Sequence, residues 1–172
     1  MSIAIGDSAP GFTLPDTDGA EHSPADDGIT AVVFTCNHCP YALAWHDRLT
    51  AAARDYPEVR FLAINPNDAE RYPGDSLEAM QQRVAQEDWT MPYLRDESQE
   101  VARSYGAQTT PDIFVIDGEG RLRYRGAPDQ DHNDASLNAV WLREALDALL
   151  AGEEPARPET PPKGCSVKWK NA

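Results

Sequence analysis

The chain has 172 residues, 41% hydrophobic and 26% charged, enough for one domain with a full apolar core and a short remainder, and not the composition of a disordered chain. Lys and Arg number 15 against 29 Asp and Glu, a formal net charge of −14, which repels phosphate backbones and anionic lipid and argues against nucleic-acid and membrane partners. No stretch approaches the length of a membrane span, and MSIAIGDSAPGF has neither a charged start nor an apolar run of signal-peptide type, so a soluble cytoplasmic protein is expected. In a reducing compartment, close cysteines are more often catalytic or metal-binding than structural.

Along the chain, GFTL and the turn at Asp18-Gly19 predict an N-terminal β-hairpin. TAVVFT (30–35) is a β-branched apolar run, expected as a strand buried on both faces. The helix after it carries Ala42, Trp45, Leu49, Ala52, Ala53 and Tyr56 on one stripe, with His46 off it, and stops before Pro57. VRFLAI (59–64) predicts a second buried strand. NPNDAERYPGD (65–75) has turn chemistry and leads to a helix capped by Asp75, with Glu78 three residues on and Leu77, Met80 and Val84 inside. MPYL predicts a short strand, Ser98 to Tyr105 a short helix, and DIFVI (112–116) a third buried strand. Asp117-Gly118 and Gly120 turn into RLRYR, an alternating edge strand. Asn133 or Asp134 caps a last helix with Leu137, Val140, Trp141, Leu146, Leu149 and Leu150 inside, and Gly152 ends it. The order gives an α/β fold: a central mixed β-sheet flanked by helices. Residues 1–152 form the domain, and 153–172, rich in proline at first, form an extended C-terminal tail.

The chemistry concentrates in FTCNHCPYALAW (34–45), with Cys36, His38, Cys39 and Pro40 between a buried strand and a helix. A cysteine at a helix start has its thiolate favoured by the helix dipole, so Cys36 is expected to be the more acidic sulfur. Cys39, three residues on, is close enough to attack a mixed disulfide formed at Cys36, and His38 tunes the pair. C-x-x-C beside a βαβ pattern reads as a thioredoxin-like redox motif. TTPDIFVID puts Thr110-Pro111 just before a strand. A cis bond there would leave the Thr110 backbone free to pair with a peptide or thiol, and a trans proline at a loop–strand boundary is the plain alternative.

VVFTCNHCPY, TTPDIFVID and GRLRYRG together resemble the thioredoxin superfamily. AIGDSAPGFTLPDTDG resembles its AhpC/TSA (redoxin) branch, and the tail PPKGCSVKWK is similar to a thioredoxin-like subgroup with a C-N-H-C-P-Y motif. The resemblance implies a thioredoxin-like fold, Cys36 and Cys39 as a redox pair, and a cis-proline at Pro111 facing them. It departs from thioredoxins proper, which carry an acid where Thr30 stands, and from peroxiredoxins, whose Pro and Thr positions hold Ile29 and Val33.

The function expected is thiol–disulfide exchange with catalytic Cys36, Cys39, His38, Thr110 and Pro111, acting on a protein or small-molecule disulfide with a thiol reductant as second partner. No cofactor and no metal are expected. The alternatives are a peroxiredoxin-like antioxidant and a Sco-like copper or zinc module using Cys36, Cys39 and His132. Cys165 is either a third thiol folding back over the pair or a small packed residue. Trp45 and Trp89 are expected in the core, His46 and His22 on the surface.

Overall fold

Three apolar runs make the centre of the sheet, and each buries both faces. In the computed structural model, which describes residues 2–171, they are β3 (Thr30–Phe34), β4 (Arg60–Asn65) and β7 (Asp112–Ile116). A short β5 (Tyr93–Arg95) and the hairpin partner β8 (Leu122–Gly126) complete a five-stranded sheet of order β5-β4-β3-β7-β8. β3, β4 and β5 are parallel, whereas β7 runs antiparallel to both β3 and β8. At the N-terminal end β1 (Leu14–Pro15) and β2 (Glu21–His22) form the expected small hairpin.

Alternation along these strands divides the core in two. Ala31, Val33, Phe61, Ala63, Ile113 and Val115 face one side, covered by α1 (Pro40–Asp55), α2 (Leu77–Gln86) and α4 (Val140–Leu150) through Trp45, Leu49, Met80, Leu142 and Leu146. Val32, Phe34, Leu62, Ile64, Phe114 and Ile116 face the other, covered by α3 (Glu100–Tyr105) through Ala102 and Tyr105 and by segments from both ends of the chain, including Ile5, Phe12 and Val167. A mixed sheet of this order with helices on both faces is a thioredoxin-like fold.

Three local expectations are corrected, and the tail takes a definite place. The cap of α2 is Ser76, whose hydroxyl accepts from Ala79 N–H, and Asp75 is drawn away into a buried network. Asp134 caps a separate 3-10 turn over Ala135–Leu137, and α4 starts only at Val140 after two left-handed residues, Asn138 and Ala139. His46 is buried rather than solvated: its Nε2 lies 3.0 Å from Asp88 O, its ring packs on Trp89, and burial pushes its pKa down. The tail is docked: Arg125 N–H donates to Pro158 O, Thr160 N–H to Arg125 O, and β9 (Cys165–Ser166) pairs with β6 (Thr109–Thr110).

Asp112, at the start of β7, is fully buried with one oxygen accepting from Gln108 N–H and the other lacking a partner among the described residues. Burial pushes its carboxyl up to about 6 from the ordinary 3.8. A folded-state value above the unfolded one means that the folded protein holds this proton more tightly. The group's contribution to stability is therefore complete below about pH 4 and lost as pH rises through about 6. Asp112→Asn removes the buried charge and should raise the unfolding free energy by about 1–3 kcal/mol at neutral pH, with little change near pH 4. Urea unfolding at the two pH values tests this, and an equal shift at both would rule out Asp112 titration as the cause.

Candidate active site: a buried dithiol against Thr110

β3 delivers the chain to a short loop, and α1 begins at Pro40, where a proline loses no helical hydrogen bond. Cys39 is the N-cap of that helix, and Cys36 lies one turn earlier. Each cysteine is only 1% exposed, and both are free thiols. They converge on one residue from a distant part of the chain: Cys36 Sγ lies 3.2 Å from Thr110 Oγ1, and Cys39 Sγ donates to Thr110 O at 3.1 Å. The Thr110–Pro111 peptide bond is cis.

His38 turns toward an acid beside Cys36. Its Nδ1 stands 2.6 Å from Asp75 Oδ2, and its ring stacks on Tyr72. Asp75 is completely buried; one oxygen accepts from Asn37 N–H and Asn65 Nδ2, and the other accepts from Asn67 Nδ2 and pairs with His38. Arg83 completes the cradle from α2, donating to Cys36 O at 2.9 Å, while Tyr93 O–H donates to Asn37 Oδ1 at 2.7 Å. Asp75, Asn65, Asn67, Arg83 and Tyr93 escaped the sequence expectations. The one available signal was the density of Asn and Asp in NPND, directly after a buried strand.

The two thiols ionise as one unit. The hydrogen bond from Cys36 pulls Cys39 down to about 4. That same bond, burial and the nearby Asp75 carboxylate drive Cys36 far above the ordinary thiol range, against the opposing hydroxyl of Thr110. This order differs from the sequence expectation for a structural reason. The helix starts at Cys39 rather than Cys36, so its positive end acts on the second sulfur, and the first faces a buried carboxylate instead.

Cys36, His38 and Asp75 bring a sulfur, a ring nitrogen and a carboxylate oxygen within 4.8 Å of one another, the one such trio among the described residues. Both oxygens of that carboxylate are already engaged by protein donors. His132 is not part of the trio; its ring packs 4.2 Å from Tyr41 and 5.7 Å from Trp45. Trp45 is in the core, with Nε1 donating to Asp129, which also pairs with the buried Arg48. His22 is half-buried and pairs with Asp16 at 2.7 Å. The edge at Thr110 is not free for a peptide: Cys165 of the tail is its pairing partner.

A protein of unassigned function from Geobacillus kaustophilus superposes with a TM-score of 0.92 at 39% identity, over 98% of this chain and 94% of its own. A hypothetical protein from Sinorhizobium meliloti 1021 does so with a TM-score of 0.93 at 36% identity, over 100% and 98%. The thiol-disulfide oxidoreductase ResA of Geobacillus thermodenitrificans is 26% identical over 71% of this chain and 68% of its own length. The sequence model of the AhpC/TSA family matches residues 5–125, a span that takes in the cysteine pair, the Asp75 cradle and Thr110-Pro111, and the chain belongs to the AhpC/TSA family.

Proposed function

We propose that the protein is a thiol–disulfide oxidoreductase whose working group is the Cys36–Cys39 dithiol. The observation that carries this is the pair itself: two free, buried thiols that pack together and both contact Thr110. Likeness to a relative named a thiol-disulfide oxidoreductase supports the same reading. Its expected setting is the reducing cytoplasm, with a protein or small-molecule disulfide as substrate and a thiol as reductant.

In the fully protonated pair Cys39 donates to Thr110 O; when the pair loses one proton that bond is given up, and the thiolate at Cys39 serves as base for Cys36. Cys36 Sγ forms a bond to one substrate sulfur, the substrate S–S bond breaks, and its electron pair leaves with the second sulfur as a thiolate. The Cys36 proton passes to Cys39. Cys39 Sγ then attacks Cys36 Sγ, expels the remaining substrate sulfur and gives it the proton. The protein ends as the Cys36–Cys39 disulfide and the substrate as two thiols, one of them ionised. Thr110 positions both sulfurs. Peroxide reduction has less support, because the residues at the peroxiredoxin Pro and Thr positions, Ile29 and Val33, are buried apolar side chains of the core.

Cys36→Ser should abolish exchange with a model disulfide, and Cys39→Ser should accumulate a mixed disulfide at Cys36. Mass spectrometry of alkylated protein reads both, and full activity in the Cys36→Ser protein would sink the assignment. Asp75 supplies a further test. Asp75→Asn keeps the shape but removes the negative charge that opposes the Cys36 thiolate, so the second thiolate should appear at lower pH in an ultraviolet titration. Asp75→Ala strands the donors of Asn37, Asn65 and Asn67 and should cost about 3–5 kcal/mol of stability. An unchanged thiol titration in Asp75→Asn would remove Asp75 from the redox site.

A further inference from the structure

The tail is built into the site from both sides. Cys165 pairs with Thr110 and Ser166 with Thr109, and Val167 N–H donates to Gln108 O. On the opposite side Asp68 N–H and Gln99 Nε2 both donate to Lys168 O, Lys168 N–H donates to Asn67 Oδ1, and Lys170 N–H to Gln99 Oε1. Gly164 lies so close to Thr110 O that a Cβ at this position would overlap it. This anchoring puts the Cys165 side chain against the buried trio of Cys36, Cys39 and Ala42. Cys39 thus has a thiol neighbour on each side. Of the three, only Cys165 is half-exposed; the other two are closed off from solvent.

We propose that Cys165 is a third redox thiol of this site, exchanging with Cys39 and carrying disulfide equivalents between the buried pair and solvent; this rests on the Cys36–Cys39 reading above. Starting from the Cys36–Cys39 disulfide, the Cys165 thiolate attacks Cys39 Sγ. The Cys39–Cys165 bond forms, the Cys36–Cys39 bond breaks, and its electron pair leaves on Cys36, which takes up the proton that Cys165 gave to solvent. No net oxidation occurs in this step. An external thiolate then attacks the accessible Cys165 sulfur and expels Cys39 as thiolate, and a second external thiol releases Cys165. The route lets a solvent thiol reduce the site without reaching either buried sulfur.

The test is oxidation of the full chain by glutathione disulfide, acid quench and disulfide mapping by mass spectrometry. Wild-type protein should yield both the Cys36–Cys39 and Cys39–Cys165 linkages, and Cys36→Ser an intramolecular Cys39–Cys165 linkage. Cys165→Ser should yield Cys36–Cys39 alone, and its reduction by glutathione should be slower by about tenfold, since exchange then has to reach a closed-off sulfur. Gly164→Ala, which displaces the tail while leaving all three thiols, should lose the Cys39–Cys165 linkage and keep Cys36–Cys39. A Cys36→Ser protein that gives only glutathione adducts would overturn the relay, as would wild-type reduction rates in Cys165→Ser. Failure of Cys165→Ser to close Cys36–Cys39 would instead overturn the pair, and the relay with it.

Discussion

A single buried carboxylate organises this site. Asp75 has no contact with solvent, and an unpaired charge in such a place would be far too costly to keep, so the chain has to bring donors to it. They come from separate segments: Asn37 and His38 from the cysteine loop, Asn65 from the end of β4, Asn67 from the turn after it. The loop holding Cys36 is thereby fixed at two adjacent residues. Asn67 extends the same network outward, since its amide donates to Asp75 while its oxygen accepts from Lys168 in the tail. One charge sets the cysteine loop and, through one side chain, the docked end of the chain.

The sheet supplies the other constraint. β3 and β7 run antiparallel with Phe34 opposite Asp112, so the residues just after β3 and just before β7 must meet at the same end of the sheet. That register is why Cys36 and Thr110 touch although 74 positions separate them. A slip by one residue would turn Val32, Phe34, Phe114 and Ile116 to the wrong face, so the apolar packing of the second core also guards the geometry of the dithiol.

What the sequence made legible follows from how the information is stored. β3, β4 and β7 announce themselves as β-branched runs, and Cys36-Asn37-His38-Cys39 is local, so spacing alone brings the thiols together. The Asp75 cradle is not local. Its Asn and Asp residues carry strong turn propensity, and the same chemistry that favours a turn also makes a buried hydrogen-bond network, with only the tertiary fold to choose between them. His46 misled because a position just off the apolar stripe of α1 is still covered when Trp89 packs beside it. The tail was harder still: β9 is two residues long, and its anchoring runs through backbone groups to Thr110, Gln108 and Asp68, which leaves no hydrophobic period to read.

Seen as polymer physics, the two disulfides available to Cys39 differ greatly. A bond to Cys36 closes a loop of a few residues and barely restricts the unfolded chain. A bond to Cys165 would tie the front of the domain to its end and enclose most of the sequence. Cross-links that close loops of such length restrict the unfolded ensemble by about 4–5 kcal/mol at room temperature, provided that the folded geometry accepts them without strain. With Cys165 seated beside Cys39 in the folded chain, passage of a disulfide from one partner to the other becomes a change in resistance to unfolding as well as in redox state.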